Sequence, residues 1–376
     1  MKNPFHYGGV VTGNDFCNRT EEQQVLFRAI QNGEKLFIYS ERRIGKTSLV
    51  KQVLQQAEKK GSTASYIDLW PTDSEASFIT TVAKSITMSM GGTAQKLLST
   101  AKQFFGKLAP SVSLNDEGKP VVTFRVQAES QITPLLEDVL SVPVRLSKKN
   151  RSVVIVFDEF QRIVEYDSDT IEGYLRSIIQ QQKDVCYLFL GSRKHIIKRL
   201  FLDSSRPLYR SSGHFPLGPI DMKEWVPFIR HKFELSGKSI EPSMIHDLCN
   251  LTGGHPFYTQ HICHVLWELG EPNQSLKANA LEKAINILLN RESYAYTMLW
   301  ESLTSNQQRF LRGLSVKPSE MRPFSSEFLK SCGIKSSSSA QRAAEALIEK
   351  DLIDRENGGF VIVDRFFKIW IAEKFK

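Results

Sequence analysis

The sequence predicts an α/β fold, a mostly parallel sheet flanked by helices, followed by a helical region and a small C-terminal module. Three observations carry this. Over residues 1–220, five short apolar runs alternate with amphipathic helical patterns, the order that yields parallel strands joined by crossover helices. From 221 to 300 strand signals nearly vanish, and over 301–376 three short helical patterns precede a hairpin signal. A chain of 376 residues exceeds the roughly 250 that one core accommodates, so 220 and 300 are expected domain boundaries.

Element by element, residues 21–31 place Val25, Leu26, Ala29 and Ile30 on one helical face, and 34–39 read as a strand. Residues 48–60 form the next helix, closed by Gly61, then TASYIDLW (63–70) a strand and 75–89 a helix. The stretch 106–130 carries turn signals at Pro110, 115–118 and Pro120 with alternation over 121–126, which predicts a β-hairpin insertion. After a helix over 132–146, SVVIVFDEF (152–160) is almost continuously apolar, as a strand covered on both faces is. A helix over 170–182, the run VCYLFLG (185–191) and HFPLGPI (214–220) complete the sheet. Beyond it, 223–236, 242–252, 256–269 and 276–289 have helical spacing. Short helices over 305–315, 325–332 and 338–350 and a hairpin with a Gly-Gly tip then predict a winged helix-turn-helix.

Composition narrows the class. Apolar residues make up 41% and charged residues 24%, values of a globular chain rather than a collagen-like or disordered one. No run approaches the roughly 18 apolar residues of a membrane span, and MKNPFHYGGVV lacks the apolar core of a signal peptide. A cytoplasmic protein with no membrane partner is expected. Cys17, Cys186, Cys249, Cys263 and Cys332 are scattered without a Cys-x-x-Cys pair, so they read as reduced, mostly buried thiols. A net charge of +8 allows a polyanionic partner without requiring one.

The chemistry concentrates in SERRIGKTS (40–48), between the first strand and the next helix. Successive backbone N–H groups at a helix N-terminus cradle phosphate oxygens. Gly45 lets the backbone approach, Lys46 supplies a mobile cation, and the Thr47 hydroxyl can ligate Mg²⁺. Ser40, Glu41, Arg42, Arg43, Ile44 and Ser48 complete the expected nucleotide-binding loop. Ser40 stands where the motif has glycine, the residue that takes left-handed backbone angles without cost.

A metal carboxylate and a base should then end a neighbouring strand. VVIVFDEF supplies them: Asp158 for magnesium and Glu159 to polarise the attacking water. FLGSR (189–193) ends the next strand with Ser192 and Arg193, of which Arg193 is the expected phosphate sensor because a guanidinium grips phosphate bidentately. A solvated arginine opening the basic run SRKHIIKR is the competing reading.

Together these residues resemble the P-loop ATPases of the archaeal ATPase family, in the STAND group near the AAA+ ATPases. DFCNRTEE (15–22) is similar to that family's Phe-x-x-Arg-x-x-Glu stretch, SERRIGKTSL to its phosphate loop and LTGGHPFYTQ (251–260) to its Thr-Gly-Gly-x-Pro motif. The resemblance implies a three-layer P-loop NTPase core, a helical lid, ATP and Mg²⁺ as ligands and slow hydrolysis. It also implies that Asn18 and Arg19 lie beside the adenine and that Pro256 packs on the base. Without it, GGHP reads as a turn and a helix start with Pro256 in the first turn. His255, His261, Cys263 and His264 crowd ten residues, but their spacing lacks the carboxylate of a helical zinc site, so packing explains them better.

The helix over 337–350 would be the recognition helix of the winged module, with Arg342 and Lys335 reaching phosphates or base edges of double-stranded DNA. Residues 301–376 carry 13 Lys/Arg against 10 Asp/Glu, no strong basic stripe. The alternative is a nucleotide-dependent protein-interaction or signalling module whose winged helix does not bind DNA. Arg206 and Arg210 are candidates for an arginine finger given to a neighbour in a nucleotide-dependent homo-oligomer.

Overall fold

The computed structural model describes residues 2–127, 131–147, 152–166, 170–192, 194–316, 323–356 and 358–375. It divides into two compact units, Asn18–Gly218 and Met1–Cys17 with Pro219–Lys376. The first unit runs α1 (Thr20–Gln31), β1 (Lys35–Tyr39), α2 (Lys46–Lys59), β2 (Thr63–Asp68), α3 (Glu75–Ser89), α4 (Ala94–Phe104), β3 (Ala109–Leu114) and β4 (Pro120–Arg125). It continues with α5 (Ile132–Ser147), β5 (Val153–Asp158), α6 (Thr170–Gln181), β6 (Val185–Gly191), α7 (Lys194–Leu202) and β7 (Gly213–Pro216).

Five of these strands form one parallel sheet in the order β2-β5-β6-β1-β7. Strands β5 and β6 are buried along their whole length, the reason their sequences are continuously apolar. Phe37, Ile155, Phe157, Tyr187 and Phe189 join a core cluster with residues of α3, α5 and α6. Their neighbours Ile38, Val154, Val156, Leu188 and Leu190, which point to the opposite face, are equally buried. The fold is therefore α/β with a parallel sheet covered on both faces.

The hairpin β3–β4 is antiparallel, and the Asn115 carboxamide oxygen accepts the amides of Glu117 (3.1 Å) and Lys119 (2.8 Å) at its turn. Val122 and Phe124 are buried, with Phe124 edge-on to Phe105 at 5.5 Å, so one face of the insertion belongs to the core. Residues 128–130, the end of the expected insertion, lie outside the described residues. Helices α4 and α7 add to the predicted elements. The last strand stops at Pro216, shorter than the expected 214–220.

The second unit comprises α8 (Met222–Leu235), α9 (Pro242–Thr252), α10 (Pro256–Leu269), α11 (Ala280–Glu301) and α12 (Ser305–Val316). It ends with α13 (Ser326–Cys332), α14 (Ser337–Glu349), the antiparallel strands β8 (Ile353–Glu356) and β9 (Gly359–Ile362), and α15 (Arg365–Lys374). Helices α12–α14 with the hairpin form the winged helix, to which α15 is an addition. A single core links Trp225, Phe233 and Ile262 with Phe310, Leu347 and Phe366, so the regions 221–300 and 301–376 share their interior. Tyr258 of α10 meets Phe366 of α15 with ring centroids 4.9 Å apart.

The first residues also depart from the predicted 1–220 core, because they group with the helical unit. Phe5, 1% exposed, packs on Phe233 at 5.3 Å, and Lys232 Nζ donates to Pro4 O (2.7 Å) and Asp15 Oδ1 (2.6 Å). A lone phenylalanine in a polar stretch does not announce a partner so distant in sequence. The histidines of α10 serve the same contact: His261 stacks on Tyr7 at 3.8 Å, and His264 Nδ1 lies 2.9 Å from Phe5 O. Among the described residues, no helix is long and apolar enough to cross a membrane.

Candidate nucleotide site at the carboxyl edge of the sheet

Strands β1, β5 and β6 end at one edge, the position where open α/β sheets bind ligands. After β1 the chain turns through 40–45 into α2. Gly45 has φ 93°, and a Cβ built there meets nothing within 4 Å. Glycine is thus required by backbone angle rather than by space. The N-cap residue of α2, Gly45, has no side chain to cap it, and a helix N-terminus favours an anion.

Ser40 is 1% exposed and is not among the residues with positive φ. Serine at this position of the motif therefore carries no left-handed strain. Its hydroxyl donates to Glu41 O at 2.9 Å and accepts from Lys46 Nζ at 2.8 Å, while Lys46 Nζ also donates to Glu41 O at 3.1 Å. Ile44 and Ser48 are buried, and Arg43 adopts φ 59°.

Asp158, at the end of β5, is 7% exposed. The Thr47 hydroxyl donates to its Oδ2 at 3.0 Å, and the Tyr66 hydroxyl reaches the same oxygen. The Glu159 amide donates to Oδ1 at 2.9 Å. Burial, with Asp158 alongside, holds the Tyr66 hydroxyl well above its usual range, so it remains a donor. Asp158 forms no ion pair among the described residues, and a buried carboxylate held by neutral donors alone lacks a counter-charge. A hard divalent cation meets that need, and the Thr47 hydroxyl and Asp158 carboxylate are the oxygen donors Mg²⁺ prefers. The residues present fit the ion.

Glu159 has φ 53°, and its Oε2 accepts from Ser192 Oγ at 2.9 Å and from Gln161 Nε2. Ser192 thus sits beside the candidate base, whereas Arg193 lies outside the described residues. Arg19, 4% exposed, donates to Glu22 (2.9 Å), to Ile44 O in the loop (3.1 Å) and to Gly218 O (2.8 Å). It therefore ties the loop to the end of this unit. Asn18 Oδ1 accepts the Thr20 amide at 3.1 Å. Pro256 is the first residue of α10, in the other unit. Arg206 closes on the buried Glu172 of its own chain, while Arg210 is exposed.

Two contributors escape the motifs. Tyr66 and Gln161 are brought in by strand register and by a turn: Gln161 directly follows a predicted strand, whereas Tyr66 lies inside one and carries no signal of its own.

Residues 16–262 match the model of a family described as an ATPase domain predominantly from Archaea, and 294–373 match a probable winged helix domain. Among solved structures, the Walker-type ATPase PABY2304 of Pyrococcus abyssi is 17% identical with a TM-score of 0.67, covering 98% of this chain and 99% of that one. The Aeropyrum pernix ORC2 protein, in ADPNP-ADP complexes, is 14% identical with a TM-score of 0.53, covering 96% and 95%. At such identities the likeness shows the fold alone. No curated protein matches the chain. With the family match spanning well over half its length, the chain belongs to the family of ATPase domains found predominantly in Archaea, here followed by a winged helix domain.

Proposed function

We propose that the chain binds ATP with Mg²⁺ on the 40–48 loop, hydrolyses it slowly, and uses nucleotide state as a STAND-like switch on what its winged helix binds. One observation carries the reading. Thr47 and Asp158, 111 positions apart in sequence, meet at 3.0 Å beside the N-terminus of α2, whose N-cap residue is Gly45. Lys46 is held there by ligands that a phosphate could replace. In this reading Lys46 grips the β- and γ-phosphates, and Asn18 and Arg19 line the base side of the loop. Glu159 accepts the proton of the attacking water, with Ser192 orienting it and Arg193 contacting phosphate. Mg²⁺, when bound, neutralises phosphate charge between Thr47 and Asp158. Phosphate release by wild type, Lys46→Ala and Glu159→Gln tests this: both variants should lose at least a hundredfold, and equal rates in all three overturn it.

For the winged helix, we favour double-stranded DNA. Ala340, Ala343, Ala344 and Leu347 bury one face of α14, which leaves Ser337, Ser338, Gln341 and Arg342 exposed near its N-terminus beside the exposed Lys335. That is the end of a recognition helix that meets bases. Duplex affinity should fall steeply with salt; absence of binding at low salt overturns it. Glu345 and Glu349 are exposed further along the same helix, which favours the second reading, a protein partner engaged according to nucleotide state. Mass measured with and without nucleotide would reveal a homo-oligomer.

A further inference from the structure

We propose that Tyr66 is a positioning residue for the metal-binding carboxylate, an assignment that rests on reading 40–48 as a phosphate loop. Strands β2 and β5 run parallel, with Tyr66 opposite Val156 and Asp68 opposite Asp158. Side chains of like parity share a sheet face, so Tyr66 and Asp158 are diagonal neighbours, close enough for a long side chain to bridge. The tyrosine hydroxyl spans that diagonal to Oδ2.

Three donors fix the carboxylate, and their duties differ. The Glu159 amide holds Oδ1 at 2.9 Å and Thr47 holds Oδ2 at 3.0 Å. Thr47 is itself a candidate cation ligand, whose oxygen can meet the ion through a lone pair while its O–H still donates to Oδ2. Tyr66 is not itself among the candidate cation ligands. Its ring is anchored on an ordered strand, with Lys51 Nζ 4.9 Å from the ring centroid. Removing the hydroxyl alone would leave Oδ2 with a single side-chain donor and let the carboxylate turn away from the orientation a cation needs. Mg²⁺ demands near-octahedral oxygen geometry, and groups that orient a ligand typically change metal affinity by 10–100-fold.

A purely structural tie from edge strand β2 to β5 is the competing role, and the two separate experimentally. The test uses the full chain and a fluorescent ATP analogue, titrating Mg²⁺ at fixed nucleotide for wild type and Tyr66→Phe. A parallel nucleotide titration in EDTA and a melting curve complete it. Phenylalanine keeps the ring and its contact with Lys51, so the variant should fold. The expected result is a Mg²⁺ midpoint raised about tenfold, with affinity in EDTA and melting temperature unchanged. A midpoint that does not move while wild type shows magnesium dependence overturns the Tyr66 assignment alone. So does an equal loss in EDTA together with a lowered melting temperature. Wild type without magnesium-dependent nucleotide binding overturns both this assignment and the phosphate-loop reading.

Discussion

Among the described residues of the α/β unit two carboxylates lie buried, Asp158 and Glu172, and their surroundings differ. Glu172 on α6 is 2% exposed and is gripped through two oxygens by the Arg206 guanidinium. Asp158 is 7% exposed and has hydroxyl and amide donors but no cationic side chain among the described residues. Both must repay the cost of leaving water. Glu172 does so within the chain, which makes it a structural clasp on the 203–212 loop, supported there by Arg176, whose Nη1 donates to Pro207 O (2.6 Å) and Tyr209 O (2.8 Å). In the proposed reading, Asp158 is completed by a cation from outside the chain. A buried carboxylate without a counter-charge thus reads as a ligand site, and one with a bidentate arginine reads as architecture.

Substitutions can break that contrast. The largest effect should come from Arg206→Ala, which strands Glu172 as an unpaired buried charge and costs about 3–5 kcal/mol of stability, measured by denaturant unfolding. A loss below about 1 kcal/mol would mean that the clasp is incidental. Asp158→Asn should behave oppositely. It removes a charge that no cationic side chain among the described residues compensates, so Mg²⁺-free stability should stay within about 1 kcal/mol of wild type, while magnesium-dependent nucleotide binding is lost. A large destabilisation without Mg²⁺ would place Asp158 in the same class as Glu172.

Ser40→Gly sharpens the comparison at the loop. It restores the motif glycine but deletes the hydroxyl that holds Lys46 Nζ at 2.8 Å. Because Ser40 is not among the residues with positive φ, the glycine relieves no strain and its flexibility costs about 0.5–1 kcal/mol. Nucleotide affinity should change by less than tenfold, and a large gain would show that serine distorts the loop.

The smallest effect concerns the thiols. Burial pushes the Cys249 thiol up to about 11, and Cys17, Cys186 and Cys263 are buried as well, whereas Cys332 is half-buried. Native protein near pH 8 should therefore be alkylated first at Cys332, read by mass spectrometry. Raising the pH from about 9 towards 11 should lower stability, because the unfolded chain releases the Cys249 proton earlier than the folded one does.

Local pattern sufficed for much of this. VVIVFD read as a covered strand because β5 is buried at every position. Gly45, Lys46 and Thr47 suggest a phosphate loop from sequence because the backbone geometry such a loop needs is set within a few residues, and Gly45 does take φ 93°. The long helix α11 was harder: its expected span was 276–289, yet it runs Ala280–Glu301. Its buried positions Leu288, Leu289, Tyr296 and Trp300 belong to a core continuous with the winged helix, so no break falls between the regions. The domain boundary expected at 300 is hidden inside shared packing.

Sequence alone determined the order of the sheet strands, the loop read as a phosphate cradle and the acidic pair that follows a later strand, since each depends on residues adjacent in the chain. Tertiary structure decided which carboxylate keeps its own arginine and which does not. It also decided that Phe5 belongs to the helical unit and that Tyr66 reaches Asp158. Those outcomes depend on strand register and on contacts between residues far apart in the chain, where a one-residue slip along a strand would turn every side chain to the other face.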